Sequence, residues 1–140
     1  MAPTYVFAVV LVLCTALPKI NGYKEELKKT IASCQDGREV TDDEIEEFVK
    51  PLIPQTQEEK CLMACVFRTF NVISDGTFDK RIALAVSKDL LKSDPEKVKK
   101  ITAVIDHCGD DIPKKMGNDC DLAFEIMQCY VKWEKEVGMI

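Results

Sequence analysis

The spacing of its cysteines constrains this chain more than any other feature. Seven stand among 140 residues, and six of them, Cys34, Cys61, Cys65, Cys108, Cys120 and Cys129, are spread through a polar sequence. The seventh, Cys14, follows an apolar stretch at the start. Met1 to Leu13 carries no Lys, Arg, Asp or Glu, and Val6 to Leu13 is an unbroken apolar run. That run is shorter than the roughly 20 residues a membrane-spanning helix needs. It matches the hydrophobic region of a secretory signal, although the basic residue that usually precedes it is missing. Residues 1–22 are therefore expected to be a signal peptide, cleaved after Ala16 or after Gly22, and residues 23–140 a single helical domain. Cys14 leaves with the signal. An even number of cysteines in a short exported chain reads as a disulfide framework.

Zinc is the competing use of such residues. It needs closely spaced thiolates, usually with a matching second pair, whereas the only tight spacing here is Cys61–Cys65 and the only histidine is His107. No metal and no cofactor is expected. With 24 acidic against 19 basic residues the net charge is −5, which repels nucleic acid and anionic membrane surfaces alike. No later apolar run is long enough for stable membrane insertion.

The remainder reads as all-α. A first helix over about Tyr23–Cys34 places Leu27, Ile31 and Cys34 on one face and ends at Asp36-Gly37. Thr41-Asp42-Asp43-Glu44 has the form of a capping box, in which the threonine accepts an N–H and the glutamate reaches back. It leads into Ile45, Phe48 and Val49 before Pro51 stops the helix. Thr56-Gln57-Glu58-Glu59 repeats the form ahead of Cys61, Leu62, Cys65, Val66 and Phe70. After a turn at Asp75-Gly76, Ile82, Ala85, Val86 and Leu90 predict a helix to about Lys92. Asp94-Pro95 starts another, bearing Val98, Ile101, Val104, Ile105 and Cys108, with Gly109 suited to its C-terminal cap. Asp110 to Gly117 reads as a polar connection. Asn118 then caps a last helix with Cys120, Ala123, Phe124, Met127, Tyr130 and Val131, and Trp133 to Ile140 forms the tail. No strand-like alternation is visible.

Helical geometry restricts the pairing of the cysteines. Cys120 and Cys129 are separated by about 13–14 Å of helical rise and half a turn of rotation, too far to bond. Cys61 and Cys65 share a helix face and point outward together, so each more naturally reaches a different neighbour. Excluding both pairs reduces fifteen connectivities to about ten, and geometry chooses no further.

These residues resemble the insect odorant-binding proteins of the six-cysteine type. The likeness lies in Cys34, a long gap, Cys61-Leu62-Met63-Ala64-Cys65, a second long gap to Cys108, then Cys120 and Cys129, and it covers nearly the whole mature chain. Asp119 to Cys129 also looks like the family's last helix. The resemblance implies the interlocked bonds Cys34–Cys65, Cys61–Cys120 and Cys108–Cys129. It further implies a compact bundle of about six helices around an apolar cavity, secreted into sensillar lymph or another extracellular fluid. The implied function is to carry small hydrophobic ligands, with a chemoreceptor or a second copy of the chain as protein partner. Candidates to line the cavity are Ile82, Val86, Val104, Ile105, Phe124, Met127, Tyr130 and Trp133. In some relatives a short tail covers the pocket. Val137, Met139 and Ile140 are apolar enough to do so here, and acidification is expected to loosen such a lid by protonating nearby carboxylates.

The residues alone argue in the same direction. A Cys–His nucleophile needs a free thiol, and Cys108 beside His107 is expected to be oxidised, so no enzyme is predicted. Asp75 to Asp79 lacks the spaced carboxylates and terminal glutamate of a calcium loop. Three disulfides, each destabilising the unfolded chain by roughly 2–4 kcal/mol, allow a small helical shell to tolerate a hollow interior. The alternative is a secreted disulfide-rich helical signalling or toxin-like protein that acts through its surface.

Overall fold

The structure is a computed structural model, and it describes residues 22–50 and 52–140. The expected signal segment with Cys14 and Ala16, and the helix-stopping Pro51, lie outside the described residues. Among the described residues six helices follow one another: α1 Gly22–Cys34, α2 Asp42–Phe48, α3 Gln57–Thr69, α4 Lys80–Leu90, α5 Pro95–Asp111 and α6 Asp119–Glu136. A two-residue hairpin, β1 Ile73–Ser74 with β2 Thr77–Phe78, sits between α3 and α4. The fold is all-α apart from that hairpin, and three disulfides staple it.

Local chemistry sets most helix starts. Thr41 and Thr56 both close capping boxes with Glu44 and Glu59. The backbone N–H of Thr41, then Arg38, holds the Glu44 carboxyl below the usual carboxylate range, and the N–H groups of Gln55 and Thr56 do the same for Glu59. Asp79, Asp94 and Asn118 cap α4, α5 and α6 through their side-chain oxygens, and Pro95 occupies the first turn of α5.

The cysteines decide how the helices stack. Cys34–Cys65 ties α1 to α3, Cys61–Cys120 ties α3 to α6, and Cys108–Cys129 ties α5 to α6, with Cα atoms 5.9, 4.5 and 5.8 Å apart. The half-turn between Cys120 and Cys129 that forbids their mutual bond aims them at opposite neighbours, so α6 lies between α3 and α5. Buried side chains form two clusters that share α3 as a wall. Ala64 faces the larger one with Ile73, Ala83, Val104, Ile105, Leu122 and Ile126; Val66 faces the smaller one with Leu27, Ile31, Val40 and Ile45.

Several sequence expectations are corrected. Gly109 does not cap α5, which runs on to Asp111 because Ile112 beyond it is buried and donates its N–H to the Cys108 carbonyl. Gly109 instead admits the Lys80 side chain, since a Cβ there would lie 2.6 Å from Lys80 Cδ. That approach lets Lys80 pair with Asp106 at 3.0 Å. Val49 is exposed at the end of α2 rather than facing inward, and on α4 the buried position is Ala83 while Ala85 and Leu90 face solvent. Trp133 belongs to α6 and not to a tail, which is confined to residues 137–140. The Asp75-Gly76 turn is the tip of the hairpin, with φ of 53° and 71° as a type I′ turn requires.

Candidate functional site

The larger cluster is the candidate site. Val104 and Ile105 are fully buried on α5, and Ile82, Tyr130 and Trp133 pack against them from α4 and α6. The other three predicted lining residues are not brought into it. Val86 is half-buried outside the cluster, and Met127 is buried but belongs to neither cluster. Phe124 lies half-buried at the α3–α6 seam, with Lys60 Nζ 4.3 Å above its ring. That contact is a cation–π cover on one face of the ring.

The reading missed much of what fills the centre. Leu122 and Ile126 are fully buried, and Ile73, Val72 and the ring of Phe78 reach the cluster from the hairpin. The missed signal on α6 was the i, i+4 pair Leu122 and Ile126, which continues through Tyr130. Phe78 meets Tyr130 edge-on, with centroids 6.4 Å apart and planes at 74°. Phe78 also lines an open cleft of about 330 Å³ with Ser74, Thr77, Asp79, Lys80 and Arg81. Phe78 is thus shared by that cleft and the apolar cluster. A second open cleft of about 410 Å³ lies between α1 and α2, over Ile31, Val40 and Phe48, away from the predicted lining.

Trp133 is held in place. Its indole stacks on His107 with centroids 3.9 Å apart, and its Nε1–H donates to Asp111 at 3.1 Å. His107 thus stands one turn before the end of α5 and braces the α5–α6 seam. Among the described residues no three His, Cys, Asp or Glu side chains converge to hold a metal, and no helix is long and apolar enough to cross a membrane.

The end of α6 determines the course of the tail. Gly138 at φ 74° donates to the Lys135 carbonyl and Met139 donates to that of Glu134, a Schellman arrangement that turns the chain back. Val137 and Met139 pack on the larger cluster, while Ile140 is exposed. Lys100 Nζ fixes the bend by donating to the Gly138 carbonyl at 3.2 Å. Two polar groups lie on this end of the helix. Burial, and then the neighbouring Glu134 carboxylate, push the Tyr130 hydroxyl above its ordinary pKa, and burial pushes Glu134 up to about 7.

Comparisons with known proteins agree with this geometry. The chain is 26% identical over 139 residues to general odorant-binding protein 19d of Drosophila melanogaster, covering 96% of this chain and 91% of the relative. It is likewise 26% identical to general odorant-binding protein 69a of the same fly, covering 96% and 94%. Among solved structures it resembles the odorant-binding protein dmelOBP28a from Drosophila melanogaster. The TM-score is 0.65 at 24% identity, covering 87% of this chain and all of that one. It also resembles the fatty acid binding protein OBP56a from the oral disk of the blowfly Phormia regina, with a TM-score of 0.51 at 24% identity and coverage of 81% and 92%. The family model described as PBP/GOBP matches residues 20–132, a span that holds all six paired cysteines, and the chain therefore belongs to this family of insect odorant-binding proteins.

Proposed function

We propose that this protein is a secreted, non-enzymatic carrier that holds a small hydrophobic molecule among α4, α5, α6 and the hairpin. One observation supports the reading: Phe78 both lines an open cleft and packs on the apolar cluster that Tyr130, Val104 and Ile105 share. A ligand entering past that ring meets Ile82, Val104, Ile105 and Tyr130. The relatives' names refer to odorants and to a fatty acid, both small molecules with a large apolar part. Residues 1–22 are read as the signal, cleaved after Ala16 or after Gly22, in keeping with secretion.

The tail acts as a lid in this mechanism, through Val137 and Met139. Its contacts to the core are apolar or run through Lys100. Burial pushes the Glu134 carboxyl up to about 7, so as the pH falls it gains a proton, which favours the packed end of α6 and weakens the carboxyl as an acceptor for a ligand's head group. Acid release is proposed to act through the terminal carboxylate or nearby Asp and Glu residues.

A fluorescent apolar probe tests the carrier. The reading requires uptake with a defined stoichiometry and displacement by odorant-like or lipid-like molecules. A protein that takes up no probe would instead act through its surface.

A further inference from the structure

The buried stripe that brings Tyr130 to the core continues for one more turn, and the residue there is Glu134. It is 8% exposed and lies on the same side of α6 as Met127 and Val131. A carboxylate at that depth ordinarily has a cation or several N–H donors. Among the described residues no hydrogen bond or ion pair reaches the Glu134 carboxyl or the Tyr130 hydroxyl, and a residual contact with water is all that remains to them. Lys100, the cation that α5 extends to this end of the helix, is spent on the Gly138 carbonyl. The two groups stand on successive turns and feel each other electrostatically. Together they make a small acceptor-rich patch at the edge of an otherwise apolar cluster.

We propose that Tyr130 and Glu134 form the polar end of the ligand site and select molecules whose head group donates a hydrogen bond, long-chain alcohols, over carboxylates of the same chain length. This rests on the carrier reading above and adds the head group to it. An alcohol O–H donates to the Glu134 carboxylate while its oxygen accepts from the Tyr130 hydroxyl, so one head group satisfies both partners. A carboxylate brings a second negative charge beside the first where little water screens them. An ester accepts from Tyr130 but gives Glu134 nothing.

The test is competition for a bound naphthylamine probe by dodecanol, methyl dodecanoate and dodecanoate at about pH 8, where Glu134 is ionised. Wild-type protein should be emptied by dodecanol at about ten- to a hundred-fold lower concentration than by dodecanoate, the ester falling between. Glu134→Gln should close that gap by about ten-fold, mainly by improving dodecanoate. Tyr130→Phe should weaken dodecanol and the ester together and leave the penalty on dodecanoate. Equal or tighter binding of dodecanoate by wild-type protein overturns the proposal, whatever the variants do. An alcohol-to-carboxylate ratio unmoved in Glu134→Gln of unchanged helicity also overturns it. If no competitor displaces probe because none was bound, the carrier reading fails first; binding with a flat head-group order removes this inference alone.

Discussion

Replacing Glu134 by Gln should make the protein more stable at neutral pH and leave it unchanged in acid. The carboxyl titrates at about 7 in the fold against 4.5 when free, and burial is the cause. A difference of ~2.5 units corresponds to ~3.4 kcal/mol between the two protonation states. Because its oxygens keep some contact with water, solvent screening reduces this to roughly 1–2 kcal/mol. The sign follows from the direction of the shift. Below 4.5 both folded and unfolded chains hold the proton, and the group contributes no pH dependence. As the pH rises towards 7 the unfolded chain gives up its proton while the folded chain must keep it, so stability falls across that window and then levels off. Gln has the same shape, no charge, and no hydrogen-bond partner to lose. Urea unfolding followed by circular dichroism, with disulfides intact, measures both proteins over a series of pH values. Wild type and Glu134→Gln should coincide near pH 4 and diverge by ~1–2 kcal/mol near pH 8, the variant being the more stable. Parallel curves, with the same separation at every pH, would refute the reasoning. They would mean that Glu134 is as well solvated in the fold as in the unfolded chain.

Other parts of the fold make sharp predictions. Gly76→Ala places a Cβ 2.4 Å from the Met116 carbonyl oxygen at a φ of 71°, so a loss of about 1–3 kcal/mol should appear in the same unfolding assay. Phe78→Ala removes the ring that cleft and core share, and stopped-flow mixing should show probe entering and leaving faster by severalfold, with a smaller change in affinity. Deleting Val137–Ile140 should speed probe release; unchanged affinity together with an unchanged pH dependence would rule out the lid. Hydrogen exchange should find α4 amides less protected than those of α3, α5 and α6, since no disulfide reaches α4.

What was legible in the sequence was what depends on neighbours a few residues away. The capping boxes at Thr41 and Thr56, the Asp94-Pro95 start and the Asn118 cap each satisfy backbone donors within their own first turn, and the structure has all four. Gly109 shows where that logic stops. As a local signal it marks a helix end, but its role depends on Lys80, a residue of another helix. The face of α6 was misjudged for a related reason. A helix placed between two others is buried on more than one side, so Leu122, Ala123, Ile126, Met127 and Val131 are all covered and no single stripe stands out. Choosing the phase through Ala123 and Met127 left Leu122 and Ile126 out of the candidate lining. The hairpin escaped because two residues per strand are too few to show alternation.

The route of the disulfides bears on how a stapled bundle can admit a ligand at all. The three bonds run from α1 to α3, from α3 to α6 and from α6 to α5, so four helices are linked in one covalent series. The hairpin and α4 lie outside it. They are held by the packing of Ile73, Phe78, Ile82 and Ala83, by the Lys80–Asp106 pair, and by Met116 donating to the Gly76 carbonyl. The Lys80 pair is exposed and is worth at most about 1 kcal/mol. Moving α4 and the hairpin together therefore costs mainly apolar contact, and on the proposed reading an apolar ligand against Val104 and Ile105 would restore contact of the same kind. The covalent series keeps α5 and α6 in register during that exchange, so Tyr130 and Glu134 hold their positions while the opposite wall adapts. The consequence is a division of labour set by cysteine placement. On the proposed reading, the linked helices would carry the groups that recognise a head group, and the unlinked segment would accommodate the chain behind it.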